Sequence, residues 1–276
     1  MRLKGKSAVV TGAGRDLGIG QAIAARLAKE VARVVLHELG RSNVEIAPGH
    51  GVGNSDELET MAERIRSISG EAVTLCGDMV IEDDVASLMD FADRKYGRAD
   101  ILVNNAGIGY LFGPLVHMPV EKWDAVLGVN LRGVFLGIKH AARHMIYQGR
   151  GGRVVNIASQ AAKTGFAFAT AYTASKHGVV GLTRTAALKL AEYNITINTI
   201  CPNRITTGLG AWQNEFMSKA QGKSVDEYLA EMRARIALGR TGQVNDVGSV
   251  CAFLCCKEAN YLTAEAMNVS GGEEYH

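Results

Sequence analysis

TGAGRDLGIG, residues 11–20, is the stretch on which the reading of this chain turns. It follows the short apolar run SAVV and precedes the helical pattern QAIAARLAKE. Strand, glycine-rich turn and helix, in that order, is the context in which a backbone cradles a pyrophosphate. Gly12, Gly14, Gly18 and Gly20 tolerate positive φ and allow close backbone approach. The helix that follows offers its first N–H groups to an anion. Gly14, Gly18 and Gly20 fit GxxxGxG, a looser pattern than GxGxxG. The loop alone therefore leaves two readings: a dinucleotide cradle, or a tight turn.

Working outward, apolar β-branched runs alternate with helical patterns along all 276 residues. Strands are expected at 7–12, 32–38, 72–78, 100–106, 153–159, 195–201 and 265–271. Their near-continuous apolar character suits a parallel sheet covered on both faces. The expected architecture is a single-domain, Rossmann-type α/β fold: a doubly wound parallel sheet of about seven strands flanked by helices. Two stretches interrupt the alternation. Residues 39–56, LGRSNVEIAPGHGVGNSD, read as an exposed polar loop. Residues 208–238 carry helix-forming sequence just after the sixth strand, placed to cover a ligand as a lid.

Composition narrows the function. Apolar residues are 47% and charged residues 21% of the chain, as in an average globular protein. A net charge of +2 and 6% aromatics argue against a nucleic acid or anionic membrane partner. No apolar run approaches a membrane span, and MRLKGKSAVV does not read as a signal peptide. The odd set Cys76, Cys201, Cys251, Cys255 and Cys256 fits reduced thiols in a cytoplasmic protein.

The chemistry is expected in the second half. In YTASK, residues 172–176, Tyr172 and Lys176 are i and i+4 on one helix face. An ammonium beside a phenol stabilises the phenolate and lowers its pKa from about 10. A general acid/base for interconverting an alcohol and a ketone needs that. Ser159 ends the fifth strand, 13 residues earlier, where its hydroxyl reaches a substrate oxygen or merely caps a turn. Glu38 ends the second strand, where a carboxylate bonds an adenosine ribose and repels a 2′-phosphate, favouring NAD. Arg15 and Arg41 pull the other way, since either reaches a 2′-phosphate, so NADP stays possible. His140 and His144 are spaced as metal ligands on a helix, but no third ligand is evident and no metal is expected. Cys251 and Cys255 read as small core residues.

Taken together and in order, TG…GIG at 11–20, Asp78, NNAG at 104–107, Asn130 within VNLRG, Ser159, YTASK and CPNRITT at 201–207 resemble the classical short-chain dehydrogenase/reductase family over nearly the whole chain. The resemblance implies Tyr172 as acid/base and Lys176 as the group that lowers its pKa and binds the nicotinamide ribose. Ser159 would polarise the carbonyl, and Asn130 would hold a water in a proton relay with the lysine. For the cofactor it implies the loop residues Gly12, Gly14, Arg15, Gly18, Ile19 and Gly20. It adds Asp78 at the adenine, Asn104, Ala106 and Gly107 along the adenosine ribose, and Ile205 and Thr207 at the carboxamide. It also implies a homotetramer, with the long helices around 117–146 and 160–192 at one interface.

The chain departs from the family pattern in three places. The glycine loop is two residues longer than TGAGxGIG, which raises the question of whether Arg15 or Asp16 faces the adenosine. Asn203 stands where Gly usually follows Pro202, and the 39–56 stretch is long. SQAA at 159–162 and the lengthened region after Thr207 look most like the polyol dehydrogenase and acetoin reductase branches. Gln160, Asn203 and Gln213 suit a small polyol or hydroxyketone. Phe166, Phe168, Trp212 and Phe216 suit a hydroxysteroid, terpenol or acyl chain instead. An NADPH-dependent 3-oxoacyl reductase is a rival, and a non-catalytic cofactor-binding regulator is a rival of another class.

Overall fold

In the computed structural model, residues 1–40, 53–68, 70–109 and 113–275 are described. The first half runs β1 (Ser7–Thr11), α1 (Ile19–Lys29), β2 (Arg33–Glu38), α2 (Ser55–Ser67), β3 (Glu71–Cys76), α3 (Glu82–Tyr96) and β4 (Ile101–Asn104). The second half runs α4 (Val120–Leu127), α5 (Gly133–Gln148), β5 (Gly152–Ile157), α6 (Thr170–Leu190), β6 (Ile195–Pro202), β7 (Ile205–Thr206), α7 (Gly208–Ala220), α8 (Val225–Arg235), β8 (Gly242–Gln243), α9 (Val244–Cys255) and β9 (Ala266–Val269). Seven strands form one parallel sheet in the order β3-β2-β1-β4-β5-β6-β9, and β7 and β8 pair separately. The doubly wound sheet expected from the sequence is the sheet observed.

Alternation along each strand builds two cores. Ala8, Val10, Val34 and Leu36 face α1, α2 and α9, through Ile23, Leu27, Leu58, Ile65, Val247 and Cys251. Val9, Val35, Leu102 and Ile197 face α3, α5 and α6, through Leu88, Met89, Leu136 and Val179. Successive residues point to opposite faces, so a strand buried on both sides is apolar throughout. Cys251, Cys255 and Cys256 are free thiols packed in the first core.

Local chemistry sets the helix ends. Asn54 and Glu57 form a capping box on α2. Glu82, Asp83 and Asp84 fill the first turn of α3, where the helix dipole favours them. Gly97 and Gly149, both left-handed, close α3 and α5. The expected 208–238 excursion is the pair α7 and α8, capped by Thr207 and by a Ser224–Glu227 box. Of the long 39–56 stretch, Gly40 bridges to Asn54, while residues 41–52, including Arg41, lie outside the described set. Among the described residues no helix is long and apolar enough to cross a membrane.

Strand order reverses between β1 and β4, where sequential crossovers leave in opposite directions. Open α/β sheets bind ligands beyond the carboxyl ends of the strands at such a switch point. Here those ends are Gly12 and the 105–107 segment.

Candidate active site

Thr11 and Asn105 stitch the switch point together. The Thr11 hydroxyl accepts from the Asn105 and Ala106 amides at 3.1 and 3.0 Å. Asn105 Nδ2 donates back to the Thr11 and Gly12 carbonyls, at 2.9 Å each. The approach is so close that a Cβ on Gly12, whose φ is +68°, would lie 2.7 Å from Ala106 Cα. A Cβ on Gly20 would lie 2.2 Å from the Gly12 carbonyl oxygen. Glycine is required at both positions by backbone contact.

A cavity of about 660 Å³ opens over this junction. Gly12, Arg15, Gly18, Ile19, Gly20, Glu38, Asp78, Ala106, Gly107, Tyr172, Lys176 and Thr207 line it, together with His37, Gly53 and Asn105. Gly18 precedes α1 without any side chain capping the helix. The first N–H groups of α1 are thus left for a ligand, as an anion site requires. At the opposite end Glu38 is buried. Its carboxylate accepts from the Gly14 amide at 3.0 Å and the Leu39 amide at 3.0 Å. Burial raises its pKa, with those two bonds and nearby Arg15 opposing. Arg15 stays in the cavity wall, its pKa lowered by burial despite Glu38 and Glu57, and among the described residues no hydrogen bond to its guanidinium is found. Asp16 points away to an exposed ion pair with Arg64 on α2 at 3.2 Å. The extra loop residues therefore leave Arg15 facing the cleft and Asp16 outside it. An uncapped helix N-terminus, a glycine floor and a far carboxylate fit a dinucleotide.

A second cavity, of about 470 Å³, meets the first and shares Ile19, Ala158, Tyr172 and Thr207 with it. Ser159, Asn203, Ile205 and Gln213 line its walls, and so do Phe166 and residues of α7 and α8. Tyr172 and Lys176 sit one turn apart on α6. The Lys176 ammonium is buried, 5.5 Å from the Tyr172 ring centroid, and donates to the Ile157 carbonyl at 3.0 Å. Burial pulls its pKa down to about 8, against a smaller opposing effect of Cys201. The Ser159 hydroxyl accepts from the Ala161 amide at 3.2 Å, so it caps the following turn as well as facing the cavity.

Not every sequence candidate reaches a cavity wall. Gly14 is fixed to Glu38 behind the loop. Asn104 turns into the sheet, where its amide donates to Asn156 at 2.8 Å; Asn105 is the asparagine that lines the cleft. Asn130 lies in a π-helical turn at Gly128–Arg132, completely buried. Its side chain is spent on both backbone groups of Ile108, at 2.9 Å each, and on the Ser175 hydroxyl at 3.3 Å. That places it as a brace between the 107–108 segment and the residue beside Lys176. Gln160 lines neither cavity; Phe168 and Phe216 are exposed, and the Trp212 side chain lies outside the described set. His37, Gly53 and Asn105 in the cleft lining, and Thr11 behind it, are among the residues that the sequence did not single out. The second asparagine of NNAG was the available signal for one of them. His140 and His144 pair with Glu82 and Asp90 on α3, each at 3.1 Å. Among the described residues no group of three metal-ligating side chains is assembled.

The family model described as enoyl-(acyl carrier protein) reductase matches residues 12–274. A short-chain dehydrogenase/reductase of Hericium erinaceus, eriH, is 34% identical over 265 residues, covering 96% of each chain. The structure of NAD+-bound xylitol dehydrogenase superposes with a TM-score of 0.88 at 32% identity, over 99% of this chain and 100% of that one. An actinorhodin polyketide ketoreductase variant with NADPH gives 0.88 at 35% identity, over 98% of each.

Proposed function

We propose, from the premise that this chain belongs to the short-chain dehydrogenase/reductase family, that it interconverts a small polyol and its hydroxyketone with NAD as the preferred cofactor. Chains of this family are NAD(P)-dependent oxidoreductases of alcohols and ketones, and that coarser activity holds here. The observation that carries the finer reading is the place of Tyr172, the titratable side chain among the four residues common to the cofactor-sized cleft and the second cavity.

In this reading Tyr172 is the general acid/base at the reacting oxygen. In oxidation its phenolate takes the hydroxyl proton; in reduction its phenol returns it. Lys176, on the cleft side, holds positive charge beside the ring and keeps the phenolate accessible near neutral pH. Ser159, on the other side, donates to the substrate oxygen as charge develops there. Asn130 positions the 107–108 segment and Ser175, and through them the lysine. A bound nicotinamide supplies or accepts the hydride. Gly12, Gly18, Ile19 and Gly20 would hold the pyrophosphate, Glu38 and Asp78 the adenosine, Ala106 and Gly107 the ribose path, and Ile205 and Thr207 the carboxamide. Asn104 supports this from within the sheet.

The polyol reading rests on the polar side chains of the second cavity, Asn203, Gln213, Asn214, Thr206 and Thr241 among them, and on the likeness to xylitol dehydrogenase. NAD is preferred because a buried carboxylate at the end of β2 repels a 2′-phosphate. The position of Arg15 favours NADP as the second choice. The whole chain is read as one cofactor-binding and catalytic unit with α7 and α8 as its lid. It is further read as cytoplasmic and as a homotetramer through α5 and α6, whose Phe135, Tyr147 and Leu188 stand exposed.

The test follows absorbance of reduced nicotinamide with NAD or NADP against polyols, diols and lipophilic secondary alcohols, beside Tyr172→Phe. Turnover should be fastest with NAD and a polyol, and fall by about 10³-fold or more in the variant, which still binds cofactor. Wild-type turnover in Tyr172→Phe would refute the assignment, and light scattering gives the assembly state.

A further inference from the structure

The segment after β9 has no part in the reading above, yet it joins the chain just beyond α8 to the wall of the second cavity at Asn203 and Arg204. Its main chain packs on the end of α8. A Cβ on Gly271 would lie 2.7 Å from Ile236 Cγ2, and one on Gly272 would lie 2.8 Å from Ala237 Cβ. The Leu238 amide donates to the Gly271 carbonyl at 3.0 Å. Its acidic side chains reach the strand-end residues. The Glu273 carboxylate, 11% exposed, accepts from Asn203 Nδ2 at 2.6 Å and Arg204 Nε at 3.3 Å, with Arg235 Nε at 3.9 Å. Glu274 accepts from Gln160, the residue after Ser159.

We propose that Glu273 is a positioning residue that fixes Asn203 and Arg204 on the substrate wall, and that it thereby sets a preference for substrates carrying a second hydroxyl. The inference rests on the reading of the second cavity as the substrate site. Asn203 lines that cavity. One N–H of its amide is given to Glu273, which fixes the plane of the amide and leaves its carbonyl oxygen, an acceptor, and one N–H to a ligand. A hydroxyl donor suits it; an alkyl chain does not. Arg204 next to it is held at a φ of +51°, a strained conformation for a side chain of its size. Such strain persists only where the surroundings over-determine it. Here the carboxylate grips the side chain, while the Gly242 amide bonds the Arg204 carbonyl at 3.0 Å. Losing the charge on Glu273 releases both the arginine and the amide orientation of Asn203.

Glu273→Gln in the full chain tests this, with paired substrates: a vicinal diol and the simple secondary alcohol of the same carbon skeleton. KM for the diol should rise about tenfold, with kcat for the simple alcohol and the calorimetric cofactor Kd within about twofold of wild type. In a cycle with Asn203→Leu, the double variant should lose no more diol discrimination than the worse single variant. Equal losses for both substrates, an unchanged diol KM, or additive losses would each overturn the proposal. If the wild type oxidises no alcohol, the functional reading fails by itself. The diol preference then falls with it, and amide exchange at Leu238 and Gly242 decides the positioning of the wall alone: exchange about tenfold faster in Glu273→Gln supports it, and unchanged exchange overturns it.

Discussion

Replacing Lys176 with methionine should make the cofactor-free protein more stable at neutral pH while removing its activity. The side chain is buried and its pKa is lowered from 10.5 to about 8 by that burial. That depression corresponds to about 3 kcal/mol against the charged form. The sign follows from proton counts. Between pH 8 and 10.5 the unfolded chain binds the proton and the native one does not, so wild-type stability rises with pH across that window. Below pH 8 the whole penalty is present. Methionine has similar bulk and no charge, but it loses the bond to the Ile157 carbonyl and the contact with the Tyr172 ring. Those losses cost about 1–2 kcal/mol together. A net gain of about 1–2 kcal/mol remains at pH 7, a rise in Tm of about 2–6 °C for a chain of this size. Thermal unfolding of wild type and Lys176→Met at pH 7, 8, 9 and 10 measures it, and the difference should shrink and then reverse towards pH 10. A variant less stable at pH 7, or a difference that ignores pH, would show that burial does not burden this ammonium.

Two further variants probe the cofactor cleft. Gly20→Ala places a Cβ 2.2 Å from the Gly12 carbonyl and 2.6 Å from Asn105 Nδ2. Overpacking and the loss of the Asn105 bonds should outweigh the better helix former by about 2–4 kcal/mol, and cofactor affinity should fall with the Tm. A melt and a calorimetric Kd like wild type's would mean the loop relaxes freely. Glu38→Ala should raise the ratio of kcat/KM for NADP over NAD about 10–100-fold, and Arg15→Ala should lower it about tenfold, the directions expected for removing a like and an opposite charge beside a 2′-phosphate. If the ratio stays fixed in both variants, neither residue reads the ribose.

What the sequence made legible was whatever repeats locally. The five inner strands of the sheet announce themselves by apolar runs, because both faces of a parallel sheet are covered, while the edge strands β3 and β9 are only partly buried. Glycines mark the turn after β1, and i, i+4 spacing puts Tyr172 and Lys176 together. What stayed hidden depends on partners far along the chain. Glu38 reads as a ribose contact, but it also holds the amide of Gly14, 24 residues away. NNAG offers two adjacent asparagines, and adjacent side chains near a strand end face opposite ways. Only the neighbours, Asn156 inside the sheet and Gly12 at the cleft, decide that Asn105 is the one at the site. The β7–β8 ladder, two residues a side, has no periodicity to read. Nor does anything near Pro202 signal that Asn203 will meet Glu273, 70 residues on.

These hidden contacts share a physical character. Lys176 is a buried amine whose only hydrogen bond found among the described residues is to a carbonyl. Glu38 is a buried carboxylate held by backbone amides. Arg204 sits at positive φ beside a nearly enclosed acid. Each breaks a rule that the two apolar cores obey, and each stands at the carboxyl edge of the sheet, around the two cavities. Rule-breaking residues concentrated at one edge are what a preorganised site looks like, since charges and strained backbone persist only where the scaffold enforces them. The cost of the lysine should then be separable from the fold. Lys176→Met should gain stability without moving any strand, whereas Gly20→Ala, which disturbs the scaffold itself, should lose stability and binding together. If both variants lost stability alike, the site's charges would be supporting the fold, and the division between a rigid sheet and a strained edge would have to be given up.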